Sequence, residues 1–244
     1  MTAADAPTAA HAAGSQEPRV VVVTGATGET GRATCAALLA RGEHVVAVGR
    51  DAASLGSLRA GLAEGVGSDV LDRLDTRVCD LLDGEAVQTL ARGVVSDRGH
   101  VDALFHLVGG WRGGKHFTDS TDDDWRWLSG NLVDTLRHTT LALHDHLLAS
   151  GRGRVAIVSA AAAQAPTAGN AAYASAKAAA ETWLAALADS FGSDEAPPGS
   201  AAVVGVVRWI GTGRTATSPS RIAEWLTELL DGDAAALNGG RVEL

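Results

Sequence analysis

The chain has 244 residues, of which 46% are hydrophobic, so it is long enough and apolar enough to bury a sizeable core. Its formal net charge of −9 argues against nucleic acid as the main partner. No segment reaches the roughly 18 consecutive apolar residues of a membrane span, so a membrane partner is not expected either.

The first eighteen residues, the cysteines and the histidines further limit the kinds of protein this chain can be. Residues 1–18 are Ala-rich and lack a basic start and an apolar run, which predicts a disordered leader rather than a signal peptide. Cys35 and Cys79 do not make a disulfide framework, so a cytoplasmic location is the simpler expectation. The histidines show no metal-ligand spacing, and no metal site is predicted.

After the leader, short β-rich runs alternate with longer Ala/Leu-rich segments. Strands are predicted over 19–25, 44–49, 75–80, 101–110, 153–159, 201–207 and 240–244. Helices are predicted over 29–41, 52–64, 83–98, 121–150, 170–191 and 219–230. Several strands are continuously apolar, as in sheets that are covered on both faces. The alternation predicts one α/β domain over 19–244, with a doubly wound parallel sheet of about seven strands and helices on both faces.

The first strand runs into the sequence TGATGETG, which predicts a phosphate-binding loop. Glycines at 25, 28 and 31 allow a tight turn, and the helix that follows offers free N–H groups to a pyrophosphate. This arrangement is typical of a Rossmann fold. A plain tight turn is the alternative. The candidate cofactor contacts here are Thr24, Gly25, Thr27, Gly28, Glu29, Thr30 and Gly31, and the Glu29 carboxylate is expected to point outward.

The end of the second strand favours NADP(H) over NAD(H) as the cofactor. Sites that prefer NAD usually place a carboxylate at this point, but this chain has Gly49 followed by Arg50. A guanidinium can bind a 2′-phosphate with two hydrogen bonds. An ordinary surface arginine is the alternative.

These features, together with CDL at 79–81, NL at 131–132 and YASAK at 173–177, resemble the short-chain dehydrogenase/reductase family. The resemblance covers essentially 19–244 and implies hydride transfer between a nicotinamide and a carbonyl-type carbon of a small molecule. It implies that Tyr173 and Lys177 are both catalytic and cofactor-binding, and that Asn131 holds a proton-relay water. The other implied cofactor contacts are Asp80, Leu81, Val108, Gly109, Gly110, Ile210 and Thr212.

The chemistry of the residues agrees with that implication. Reduction of C=O needs a proton donor at the oxygen, and tyrosine is a poor acid near its ordinary pKa. Tyr173 and Lys177 are four residues apart and share a helix face, so the lysine is expected to lower the tyrosine pKa.

The chain departs from the family pattern at the catalytic serine. Ala160 occupies the position of that serine, and Ser159 lies one residue earlier. Neighbouring side chains on a strand point to opposite faces, so Ser159 stays a catalytic candidate only if a bulge turns it into the site. HLVG at 106–109 replaces the usual NNAG, and Val207-Arg208 replaces the usual PG.

A divergent branch, the dihydropteridine reductases, resembles this chain in the GGWRGG stretch at 109–114 and in an alanine at the serine position. Those enzymes use NADH, and Arg50 disagrees with that part of the resemblance. The favoured function is an NADP(H)-dependent reductase that acts through a Tyr–Lys pair on C=O or C=N. A non-catalytic NADP(H)-binding or redox-sensing protein is the alternative.

Trp111 and Trp209 follow predicted strands and are the candidate substrate contacts, with Arg112, Lys115 and His116 adding positive charge. Packing of a shortened lid is the alternative role of these tryptophans. The family commonly assembles through the helices that hold Asn131 and Tyr173, so a homotetramer or dimer is expected. Trp183 and Leu184 are the expected anchors of that interface.

Overall fold

The computed structural model describes residues 17–244, so nearly all of the predicted leader lies outside the described residues. Seven strands are present in this part of the chain: β1 (Val20–Thr24), β2 (His44–Gly49), β3 (Leu74–Val78), β4 (Ala103–His106), β5 (Arg154–Ala160), β6 (Ala201–Val207) and β7 (Arg241–Glu243). They form one sheet in the order β3-β2-β1-β4-β5-β6-β7, and every pairing is parallel.

The helices of the same part of the chain cover both faces of this sheet. They are α1 (Glu29–Ala40), α2 (Ala52–Val66), α3 (Gly84–Arg98), α4 (Asp122–Ser129), α5 (Thr135–Ala149), α6 (Ala171–Phe191), α7 (Pro219–Asp231) and α8 (Ala234–Leu237). One core layer packs α3, α5 and α6 on the sheet, and the other packs α1, α2 and α7. No helix among these residues is long and apolar enough to cross a membrane.

The apolar strands explain why the sheet is buried on both faces. Along β5, Val155 and Ile157 belong to the layer of α3, α5 and α6, whereas Ala156 belongs to the opposite layer. Successive side chains of a strand alternate between faces, so a continuous apolar run fills both layers. The predicted doubly wound α/β fold is confirmed. The strand order reverses between β1 and β4, and ligands of such sheets bind at the carboxyl ends of the strands beside this switch point.

Two predicted boundaries are wrong for local physical reasons. The fourth strand ends at His106 rather than at 110, because the chain turns away at the sheet edge and Gly110 takes a φ of +143°. The single helix predicted over 121–150 is divided by a π-helical turn at Gly130–Asp134. The Asn131 side-chain amide donates to the Trp127 carbonyl at 2.8 Å and competes with the regular helical bond of that carbonyl.

Candidate active site

The turn between β1 and α1 forms a cradle for an anion. Gly25 has a φ of +67°, and a Cβ there would lie 2.6 Å from the Leu107 carbonyl oxygen, so only glycine fits. Gly28 caps α1 without a side-chain hydrogen bond. The first N–H groups of α1 therefore face a cavity of about 480 Å³ that Thr27, Gly28, Glu29, Thr30 and Gly31 help to line.

Arg50 also lines this cavity, directly after the end of β2. Its side chain is exposed and makes no ion pair within residues 17–244. The neighbouring carboxylate of Asp51 accepts hydrogen bonds from the Ala53 and Ser54 amides and caps α2. Asp51 is thus engaged with the helix and does not line the cavity, whereas Glu29 and Asp80 do.

Most of the other predicted cofactor contacts line this cavity or the one that adjoins it, but Thr24 and Thr212 line neither. Asp80, Leu81, Val108, Gly109 and Ile210 are all on its wall. Thr24 is fully buried and its hydroxyl bonds to His106, so its predicted contact with the cofactor is corrected to a supporting position beneath the loop. Thr212 is exposed and lies outside both cavities described in this section.

A second cavity of about 650 Å³ adjoins the first. Thr30, Leu107, Val108, Gly109 and Ile210 line both of them, so the two form one continuous depression along the carboxyl edge of the sheet. Tyr173, Lys177, Ala160, Trp111 and Trp209 line the second cavity, together with Gly110, Ser159 and Arg208. A cofactor lying across the shared wall would reach both regions.

Tyr173 and Lys177 lie on consecutive turns of α6. The Lys177 Nζ atom is 5.9 Å from the centroid of the tyrosine ring and donates to the Val158 carbonyl at 2.8 Å. The Tyr173 hydroxyl makes no hydrogen bond to any residue of the described chain, so it is available to a ligand. Asn131 is buried in the π-helical turn and lines the first cavity, and its neighbour Leu132 belongs to the cluster that includes Tyr173.

The acid/base properties of this pair differ from the sequence-based expectation. Burial raises the pKa of Tyr173 above its ordinary value, so the predicted lowering by Lys177 is wrong for this structure. Burial lowers the pKa of Lys177 to about 8, while the Glu181 carboxylate opposes that shift. The ammonium is directed at a backbone carbonyl rather than at the phenol, which explains why it does not offset the desolvation of the tyrosine.

Ser159 lies at the wall of the second cavity, on the face of β5 that is covered by α6, but its hydroxyl is bonded to another side chain. β5 continues through Ala160, and its pairing with β6 is regular, with Ser159 opposite Val206 and Ala160 opposite Val207. The Ser159 hydroxyl donates to the Glu181 carboxylate at 2.5 Å. β5 has no bulge at Ser159, and the hydroxyl bonds Glu181 rather than Tyr173, so the conditional catalytic role of Ser159 is corrected.

A buried histidine beneath the site was not foreseen. His106 Nδ1 is 2.9 Å from the Thr24 hydroxyl, and Nε2 is 3.2 Å from the Thr135 hydroxyl. Thr135 donates its own proton to the Asn131 carbonyl at 2.6 Å, so it accepts from Nε2–H, and Nδ1 accepts from Thr24. Burial lowers the pKa of His106 to about 3, and the imidazole is neutral. The replacement of the usual NNAG by HLVG at 106–109 was the sequence feature that could have indicated this buried histidine.

The substrate side of the depression carries exposed indoles. Trp111 is 61% exposed and Trp209 is 53% exposed, and both line the second cavity as predicted. Arg112, expected to add charge to the rim, instead bonds Asp124 at 3.3 Å and stacks over Trp127 at 4.5 Å. No group of three or more potential metal-ligating side chains occurs among the described residues.

Solved structures share this architecture. A short chain oxidoreductase from Pseudomonas aeruginosa PAO1, described as containing an atypical catalytic center, gives a TM-score of 0.82 at 20% identity, over 93% of this chain and 95% of that chain. Its NADPH-bound form gives 0.82 at 21% identity, over 93% and 95%. An NAD⁺-bound xylitol dehydrogenase gives 0.79 at 20% identity, over 93% and 97%. At these identities the likeness concerns the fold.

Sequence comparisons identify the family. An uncharacterized oxidoreductase of Mycobacterium tuberculosis H37Rv is 38% identical over 160 residues, a match that covers 65% of this chain and 58% of the relative. The matched segment thus spans less than two thirds of that protein's length. The model of the short chain dehydrogenase family matches residues 19–197, which is most of the chain. This protein belongs to the short chain dehydrogenase family.

Proposed function

We propose that the protein is an NADP(H)-dependent reductase of a small carbonyl-type compound, with C=O or C=N as the reducible group. The observation that carries the proposal is the continuity of the two cavities, because a glycine-rich anion cradle and the Tyr173 hydroxyl share one depression. The whole of 19–244 acts as the single domain that provides both. The NADPH-bound relative from Pseudomonas aeruginosa supports the cofactor class.

The residues of the first cavity fit a phosphorylated dinucleotide. The free N–H groups at the start of α1 suit a pyrophosphate, and the unpaired guanidinium of Arg50 suits a 2′-phosphate. Asp51, the carboxylate that follows Arg50 in the chain, is committed to the cap of α2 and does not line the cavity. We favour NADP(H) over NAD(H) for this reason, with Arg50 as the discriminating residue.

In the proposed reaction the cofactor supplies the hydride and the protein supplies the proton. The reduced nicotinamide supplies a hydride when it is bound. Tyr173 donates its phenolic proton to the substrate oxygen or nitrogen. The Lys177 ammonium, which bonds the Val158 carbonyl in the cofactor-free protein, is expected to face the resulting phenolate once the cofactor is bound. Asn131 and the Thr135 hydroxyl fix the local backbone of the π-helical turn beside this pair. Ala160 offers no hydroxyl, so the substrate oxygen receives its hydrogen bond from Tyr173.

A substrate panel of ketones, quinones and dihydropterins tests the proposal, with consumption of NADPH followed by absorbance. Tyr173→Phe should lower kcat/KM by roughly 10²- to 10⁴-fold and leave the Kd for NADPH nearly unchanged, because only the proton donor is lost. Tyr173 is the only tyrosine of the chain, so no second phenol can replace it.

A non-catalytic NADP(H)-binding protein is the second candidate, favoured by the orientation of Ser159 and by the raised pKa of Tyr173. Tight NADPH binding without turnover across the panel, and an effect of Tyr173→Phe on binding alone, would establish it in place of the reductase.

We also propose a cytoplasmic homo-oligomer, a tetramer or a dimer, that forms through the outer faces of α5 and α6. Leu141 is 57% exposed there, and a small cavity lies between Leu141, His144 and Trp183. Leu184 is only 1% exposed and belongs to the core, so it cannot serve as the expected anchor. Light scattering at micromolar concentration tests the assembly, and a monomer mass would contradict it.

A further inference from the structure

We infer that the substrate is an aromatic carbonyl compound with an acidic group, and that Arg208 binds that acid. The inference rests on the proposed reductase function and adds the class of substrate. Arg208 follows β6 directly and lines the second cavity beside Trp209.

The charge of the second cavity favours an anionic ligand. Its lining contains the cations of Lys177 and Arg208 and no aspartate or glutamate. The chain as a whole has a net charge of −9, so a cavity wall without an acid is opposite in sign to the rest of the protein. A positively charged cleft raises the local concentration of anions.

Only one of these two cations is free to bind a ligand. Lys177 is 8% exposed and donates to the Val158 carbonyl. Arg208 is exposed and has neither a carboxylate nor a hydrogen-bond acceptor among residues 17–244. An arginine presents a planar set of donors that matches a carboxylate with two hydrogen bonds.

The two exposed indoles favour a substrate with a flat aromatic ring. Trp111 and Trp209 line the same cavity and expose more than half of their surfaces. Large exposed aromatic side chains around a cleft mark a binding surface, and indole faces stack on flat rings. Because Trp209 is adjacent to Arg208 in the chain, a ring that stacks there brings an attached acid to the guanidinium.

The register of the sheet places this acid site near the reacting group. Ala160, which replaces the family serine on β5, pairs with Val207 on β6. Arg208 follows Val207 and therefore lies one residue beyond this pair. Adjacent strands are about 4.8 Å apart, so Arg208 and Ala160 lie close together at the same end of neighbouring strands. A compact substrate, with the acid and the carbonyl on one ring, fits this separation.

The matched pair 4-acetylbenzoate and 4-acetylbenzamide tests the inference, since the two differ in charge and little in shape. We expect kcat/KM to favour the carboxylate by about 10- to 100-fold, the effect of one charge-assisted hydrogen bond. Arg208→Gln should reduce this preference to less than about threefold, and Arg208→Lys should retain part of it. Arg214→Gln, an exposed arginine of the same loop outside both cavities, should keep the full preference.

Binding measurements separate the possible failures. Both compounds are titrated by calorimetry into protein saturated with NADP⁺, so the charge preference is measured even without turnover. Tighter binding of the carboxylate that Arg208→Gln abolishes supports the inference. Equal affinities, or an Arg208→Gln effect on the Kd for NADPH instead, would overturn it and leave the reductase standing. Absence of turnover with a preserved charge preference would count against the reductase alone.

Discussion

Replacing Lys177 with methionine should stabilise the cofactor-free protein at neutral pH. The side chain is 8% exposed, and its ammonium has one protein hydrogen bond, to the Val158 carbonyl. Burial lowers its pKa from 10.5 to about 8, so the folded state disfavours the charged form relative to the unfolded chain. A methionine keeps the length and the apolar stem and removes the charge.

The size of the effect follows from the same pKa. A shift from 10.5 to about 8 corresponds to roughly 3 kcal/mol of unfavourable free energy at pH 7, at about 1.4 kcal/mol per pKa unit. Loss of the bond to Val158 costs about 1 kcal/mol. The net expectation is a gain of about 1–2 kcal/mol in the unfolding free energy of Lys177→Met, together with loss of reductase activity.

The lowered pKa of Lys177 also determines how the unfolding free energy changes with pH. Between pH 8 and pH 10.5 the unfolded lysine binds more protons than the folded one, so the natural protein gains stability as the pH rises through this window. Below pH 8 Lys177 is protonated in both the folded and the unfolded state, so the full unfavourable free energy of the buried ammonium remains. The advantage of Lys177→Met should therefore shrink by roughly 2–3 kcal/mol between pH 7 and pH 10, and it should become a disadvantage.

Urea unfolding of the cofactor-free proteins at pH 7 and pH 10 measures this difference. Lys115→Met is the matched control, because Lys115 is exposed and is the other lysine of the chain. Its unfolding free energy should follow that of the natural protein at both pH values. A stability difference for Lys177→Met that is the same at pH 7 and pH 10 would refute the reasoning.

Two further predictions concern the cofactor and the missing hydroxyl. Arg50→Ala should remove most of a preference for NADPH over NADH of about 1.5–3 kcal/mol, measured by titration calorimetry with Arg92→Ala as the control; equal affinities in the natural protein would contradict the assignment. Ser159→Ala should change kcat/KM less than about threefold, because its hydroxyl bonds Glu181, whereas Ala160→Ser should raise turnover of simple ketones. A large loss from Ser159→Ala would show that the serine reaches the substrate in solution.

Features that depend on neighbours in the sequence could be predicted. The continuous apolar runs predicted the parallel sheet, and the glycine spacing at 25, 28 and 31 predicted the tight turn before α1.

Features that depend on distant partners could not be predicted. Arg112 is neutralised by Asp124, and Leu184 points into the core, neither of which a local pattern shows. The raised pKa of Tyr173 results from burial by several elements together. The π-helical turn arises because the Asn131 amide competes for a carbonyl, a choice that helix periodicity does not encode.

The arrangement of the tryptophans gives the protein an internal optical reporter. Trp125, Trp183 and Trp225 line neither cavity, so their emission should change little when the second cavity fills. The indoles of Trp111 and Trp209 lie open on the second cavity, where a soluble quencher reaches them and a bound ring would shield them. Protection from acrylamide quenching therefore measures occupancy of the site without a label and without turnover.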